Sequence, residues 1–154
     1  KLNNVVFNEG LDKAIAVLDL DTVMPDTLLY DYGDAIRSAC NNASEEEKDT
    51  EKVTFNLDKY KAFTEGYLDV MKDELTPDEK VLMPLSPLVM SYELGLRFLT
   101  DYLEGDKYFG VKGEDDNLDR AKVQFSLLNS MEKSLDKMTE FYDDCLSLEN
   151  EKTM

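Results

Sequence analysis

The chain contains no histidine. That absence removes Ser-His-Asp and Cys-His nucleophile systems, histidine general bases and nearly every transition-metal site. Positive charge is scarce: 17 Lys and Arg stand against 34 Asp and Glu, for a formal net charge of -17. Such a surface repels nucleic acid and anionic membranes, because both are bound by neutralising phosphate with Lys and Arg. The two cysteines, Cys40 and Cys145, lie far apart with no metal-ligand spacing. They read as reduced, inert thiols of a cytoplasmic protein. No apolar run approaches the roughly 18 residues of a membrane span. The opening KLNNVVFN lacks the apolar region of a signal peptide. Any chemistry here must use carboxylates, amides, hydroxyls, Lys, Arg or a hard cation.

What is present suffices for one domain spanning 1–154. The hydrophobic share of 42% over 154 residues can build a core despite the charge. The first residue is Lys1 rather than Met, which predicts that the parent protein continues upstream. Two segments read as strands: Val5-Val6-Phe7, and the apolar run Ala14 to Leu20. The turn formers Asn8 to Asp12 between them predict a hairpin, so 1–24 forms a hairpin unit and 25–154 is helical. Helices are expected from Leu28 to Cys40, and from Leu57 to about Glu74 behind an Asn56 cap. Thr76-Pro77-Asp78-Glu79 has the signature of a helix start. Leu88 to Glu104 reads as the central buried helix, stopped by Gly105. Asn117 is expected to cap one long final helix to about Leu148. Its inner face would carry Ala121, Phe125, Leu128, Met131, Leu135, Met138 and Phe141. The fold class is therefore mainly α with one short hairpin, which must pack on the helices to persist.

The candidate chemistry begins at Asp19-Leu20-Asp21, where the apolar strand ends. Two acids at i and i+2 on a regular strand share one face, and oxygen-only ligands suit Mg²⁺ or Ca²⁺. An EF-hand is excluded, because its loop glycine and closing glutamate are missing. Asn4 precedes the first strand. A hairpin brings the ends of its strands together, so Asn4 and Asp19 can meet although 15 positions separate them (19 - 4 = 15). An Asn and an Asp so placed are what kinases use to hold Mg²⁺ against ATP phosphates.

The stretch KLNNVVFNEGLDKAIAVLDLDTVMPDTLLYDYGDAIR resembles the catalytic-loop and metal-loop region of the aminoglycoside phosphotransferase/choline kinase-like superfamily. It is most similar to the bacterial branch of N-acetylhexosamine 1-kinases, whose members are often labelled mucin-desulfating sulfatases. LMPLSPLVMSYELGLRFLTDYLEGDKYF and NLDRAKVQFSLLNSME are also similar to that branch, so the resemblance covers most of the chain. It implies a kinase-like C-terminal helical lobe. Asn4 then matches the metal-binding Asn that ends the catalytic loop, and Asp19 the Asp of the metal loop. Asp21 falls where relatives often carry a second acid. Asp31 matches the structural Asp that orders the catalytic loop through backbone amides. Lys1 falls where some kinases place a lysine on phosphate. The family's catalytic base is an Asp five residues before Asn4, upstream of Lys1. The Gly-rich phosphate loop and the ATP-binding lysine are absent as well.

The resemblance implies a sugar kinase. The parent protein would move the γ-phosphoryl group of ATP, with Mg²⁺, to a sugar hydroxyl, the anomeric one of an N-acetylhexosamine. The region around Tyr92 to Asp101 would shape the acceptor pocket. These 154 residues alone would be inactive and would bind Mg²⁺ or Ca²⁺ weakly. Two other readings stay open. The apolar strand with Asp19-Leu20-Asp21-Thr22 also resembles the first motif of haloacid-dehalogenase-type phosphatases, with Asp19 the covalent nucleophile and Asp21 the acid/base. Alternatively, the acidic runs Glu45 to Asp49 and Glu114 to Asp119 would make this an interaction module for a basic partner.

Overall fold

The computed structural model describes residues 4–21 and 23–147. It is mainly helical, with one antiparallel pair of strands, β1 (Val5–Phe7) and β2 (Ala14–Val17). Six helices follow: α1 (Leu28–Ala39), α2 (Leu57–Met71), α3 (Pro77–Leu82), α4 (Ser86–Glu104), α5 (Asp116–Glu132) and α6 (Leu135–Ser147).

The hairpin forms where the alternation and turn residues place it. Val5 faces Val17, Val6 faces Ala16 and Phe7 faces Ala14, so Ile15 is bulged out of register. Asn8 builds the turn: its side-chain oxygen accepts from the N–H groups of Asp12 and Lys13. β2 is shorter than the apolar run that announces it, ending at Val17 instead of Leu20. All four of its residues are exposed.

The helical starts are chemically explicit. Thr27 caps α1, and Thr76 with Glu79 forms a capping box on α3. Glu79 does more. Its Oε1 accepts from the Thr27 hydroxyl at 2.7 Å and the Leu28 N–H at 3.0 Å, and its Oε2 from Thr76. One carboxylate therefore satisfies orphan donors at two helix N-termini and ties α1 to α3. Gly105, with φ 88°, ends α4 in a left-handed cap.

The core is formed by Tyr32 and Ile36 of α1, Tyr60 and Leu68 of α2, Met83, Leu127 and Met131 of α5, and Met138 and Tyr142 of α6. Helix α4 packs most extensively, against α5 and α1, which fits its expected central place. Two glycines allow these close crossings. A Cβ at Gly33 would stand 2.7 Å from Met90 Cγ and 2.8 Å from the Ser86 carbonyl oxygen; one at Gly95 would stand 2.8 Å from Phe125.

The long final helix is corrected to two, α5 and α6, separated at Lys133 and Ser134. The Ser134 hydroxyl donates to the Ser130 carbonyl and its N–H goes to Met131, which diverts the helical ladder. The Asn117 cap is also corrected. Asn117 is the second residue of α5, fully buried, and donates to the carboxylates of Asp101 and Asp106. The periodic apolar pattern runs through the break, so periodicity alone does not reveal it.

Candidate functional site

The hairpin's open end lies over α1. There Leu18 N–H donates to the Asn4 carbonyl at 2.8 Å, and Asn4 Nδ2 donates to Asp19 Oδ2 at 3.1 Å. The backbone bond closes the ladder, and the side-chain bond brings together the two residues that the spacing predicts. Asp19 has φ 61°, in the left-handed region that Asp tolerates better than most residues. Because Asp19 leaves the strand in this way, the i, i+2 rule for a shared face does not apply. Asp19 lines the cavity between hairpin and α1, and Asp21 is not part of that lining. The expected same-face pair of Asp19 and Asp21 is corrected accordingly.

That cavity has a volume of about 880 Å³. Its polar wall includes Asn4, Asp19, Asp26, Thr27, Tyr30, Asp31 and Asp34, and its apolar wall includes Val17, Met24 and Phe63. Asp31 sits on the first turn of α1, exposed and facing this space. The upstream loop it is expected to order, and Lys1 with it, lie outside the described residues. Among the described residues, no three or more acidic or thiol groups gather closely enough to hold a metal. A cation at the Asn4–Asp19 pair would take most of its ligands from water or a bound molecule. That donor set fits Mg²⁺, which keeps several waters and takes one or two carboxylates plus phosphates.

Arg37 holds Asp34, one of the acids that line this cavity. It is 3% exposed, yet charged. Its Nε donates to Asp34 Oδ1 at 2.8 Å, and one terminal nitrogen to Glu45 and Gln124 at 3.3 Å each. A buried guanidinium needs such partners, and these join α1, the 41–56 loop and α5 around one cation. Nothing in the hydrophobic pattern announces it; position 37 shares the buried face with Ile36 and Cys40.

A second cavity, of about 450 Å³, lies along the C-terminal half of α4 and the loop that follows. The Arg97 guanidinium sits 5.8 Å from the Tyr108 ring centre and 5.5 Å from that of Phe109. Its nearest carboxylate, Glu93, is 3.8 Å away. Thr100 and Glu104 complete the rim. Phe109 packs on Phe98, with ring centres 4.6 Å apart. The Tyr108 side is open: that residue is 75% exposed. The expected Tyr92–Asp101 region thus contributes to this cavity, but the aromatic residues come from a loop that the helical reading passes over.

The acidic runs are engaged internally. Glu45 pairs with Arg37, Glu46 with Arg120, Asp49 with Lys52 and Asp119 with Lys122. Asp116 accepts from the N–H groups of Lys112 and Gly113, which hold its carboxyl below the ordinary range. Burial pushes the Cys40 thiol up to about 12, consistent with an unreactive core cysteine. No protein-family model matches the chain.

Proposed function

We propose that this chain is the metal- and acceptor-holding lobe of an ATP-dependent phosphotransferase acting on a sugar hydroxyl, of the kind an N-acetylhexosamine offers. The observation that supports it most is the 3.1 Å contact between Asn4 and Asp19 at the mouth of the 880 Å³ cavity. Two residues 15 positions apart, singled out by their chemistry, meet at one point.

In this reading Asn4 and Asp19 would hold Mg²⁺, which would supply neutralisation of the nucleotide phosphate charge. Asp19 supplies a carboxylate oxygen and Asn4 its amide oxygen, once the amide turns from the carboxylate it now contacts. Arg37 keeps Asp34 in place. The acceptor hydroxyl that reacts would lie beside the Asn4–Asp19 pair; the Arg97 cavity, which shares no lining residue with the cavity of that pair, would be a separate subsite for a sugar. A sugar ring offers C–H faces to Tyr108, hydroxyl donors to Glu93 and Glu104, and acceptors to Arg97 and Thr100. In the transfer, the acceptor oxygen forms a bond to the γ-phosphorus as the bond from that phosphorus to the ADP oxygen breaks. The hydroxyl proton passes to the base that the resemblance places five residues before Asn4.

The phosphatase alternative delivers its groups from several parallel strands, whereas the described residues hold one antiparallel pair. The interaction-module alternative would use the two acidic runs, of which Glu45, Glu46, Asp49 and Asp119 form ion pairs within the chain.

Mg²⁺ titration of the ¹⁵N-labelled chain tests the proposal. Shifts should centre on Asn4 and residues 17–20, with millimolar affinity, as for the weakest oxygen-ligand sites of roughly 10⁻⁴–10⁻³ M. Asp19→Asn should weaken binding severalfold. Binding unchanged by Asp19→Asn would place any cation elsewhere on the acidic surface and sink the assignment. A beryllium fluoride adduct on Asp19 would favour the phosphatase instead.

A further inference from the structure

We infer that Asp101 is a positioning residue: its carboxylate fixes the aromatic wall of the Arg97 cavity, so a sugar subsite there is assembled before any ligand arrives. The inference rests on reading that cavity as a sugar subsite separate from the Asn4–Asp19 cavity.

Asp101 is 5% exposed, near the end of α4. Its Oδ1 accepts from Lys107 N–H at 2.9 Å and Tyr108 N–H at 2.8 Å. Its Oδ2 accepts from Phe109 N–H at 2.8 Å and Asn117 Nδ2 at 3.0 Å. Three successive backbone amides thus converge on one anion, a concave arrangement that an extended chain cannot form. The loop reaches it through two left-handed residues, Gly105 and Asp106, with φ 88° and 55°.

The far side is held as well. Arg120 donates to the Gly110 carbonyl at 2.9 Å and to Asn117 Oδ1 at 3.1 Å, and its guanidinium lies over Phe98. Asn117 gives its second amide bond to Asp106 at 2.8 Å. The loop from 105 to 110 is therefore pinned at both ends by groups on α4 and α5.

Tyr108 shows why this matters. At 75% exposure it has little packing of its own. Its ring stands beside Arg97 because its backbone is held, and because Phe109, edge-on at 4.8 Å, is held with it. Burial of Asp101 acts to raise its pKa. The N–H groups of Phe109, Tyr108 and Lys107 outweigh that and keep the carboxyl below the ordinary carboxylate range. The carboxylate of the clasp is thus ionised at neutral pH.

The experiment uses the ¹⁵N-labelled chain and has two arms. Without ligand, the amide signals of 107, 108 and 109 should titrate together, below the ordinary carboxylate range. The Arg97 Nε–H signal should carry a ring-current shift. In Asp101→Asn that shift should vanish, and exchange of the three amides should speed up at least tenfold, with α2 and α6 signals unmoved. In the second arm, N-acetylglucosamine is titrated in. The wild-type chain should show shifts at Arg97, Thr100 and Tyr108, and Asp101→Asn and Tyr108→Ala should each weaken binding at least tenfold. Should Asp101→Asn fail to fold, the wild-type acid titration decides alone: three amides that do not move together overturn the clasp. A retained Arg97 ring-current shift in Asp101→Asn, or equal sugar affinity in both proteins, overturns it too. If the wild-type clasp signals are intact but the sugar produces no shifts, the sugar-subsite reading of this cavity fails, and with it any role of Asp101 toward a ligand.

Discussion

Replacing Gly33 with alanine tests whether the crossing of α1 and α4 is as tight as the geometry states. In an exposed helix the change is favourable by about 1 kcal/mol, because glycine loses more backbone entropy on folding. At Gly33 the new methyl would lie 2.7 Å from Met90 Cγ and 2.8 Å from the Ser86 carbonyl oxygen. Met90 can swing aside. The carbonyl cannot, since it belongs to the first turn of α4. The helices must separate by several tenths of an ångström, and overpacking of this kind costs about 1–3 kcal/mol, sometimes more. Because the obstacle is backbone, the upper end applies, and the net loss is about 2 kcal/mol after the propensity gain. For a chain of this size each kcal/mol moves the Tm by roughly 2–4 °C, so the midpoint should fall by about 4–8 °C. Gly66 is the internal control: in α2, its Cβ would meet nothing within 4 Å. Gly66→Ala should raise the midpoint by about 2–4 °C. Thermal unfolding followed by circular dichroism at 222 nm measures both. A Gly33→Ala protein as stable as wild type would refute the crossing geometry.

Two further outcomes follow from single side chains. Hydrogen bonds from Thr27 and Thr76 and the N–H groups at both caps lower the Glu79 pKa to about 2. A lowered pKa stabilises the fold above the ordinary value of 4.5 and loses that stabilisation as pH falls from there toward 2. Glu79→Gln should therefore lower the Tm at pH 7 and flatten its decline through that acid window; an unchanged Tm–pH curve would show that the carboxylate does not join the two helix starts. Burial raises both thiols, Cys40 more deeply than the partly buried Cys145. A thiol reagent at pH 8 should modify one cysteine slowly and Cys40 only at the rate of global unfolding, as mass spectrometry of the labelled peptides would report; rapid labelling at Cys40 would contradict its place in the core.

The sequence makes the local devices legible because each acts over a few residues. The Thr76–Glu79 capping box, the Gly105 stop and the Asn8 turn are readable since their partners lie within five positions. The Asn4–Asp19 meeting is legible for a related reason: a hairpin converts a separation of 15 into contact by local topology alone. Arg37 and Asp101 belong to a different class. Arg37 reaches Gln124 across 87 positions, and no period or spacing encodes that. Its charge sits on the buried face of an otherwise regular amphipathic helix, where pattern reading assigns it to solvent.

Asn117 shows how a correct local rule can give the wrong role. Its place after Asp115 and Asp116 and ahead of a long periodic segment makes it look like a cap. The helix begins one residue before it, and the buried carboxylate of Asp101 takes its amide instead. A cap satisfies a helix's own N–H groups at the surface. A buried Asn joined to two aspartates organises the loop between two helices. The choice between those roles was made by Asp101, 16 positions upstream, where the last turn of α4 brings a carboxylate under the loop. The same displacement explains why the helical reading passes over the Arg97 cavity. Arg97 lies on a helix that periodicity describes well, but Tyr108 and Phe109 reach it only because Asp101 folds the loop back, and that fold is written in hydrogen-bond acceptors that hydrophobic patterning does not weigh.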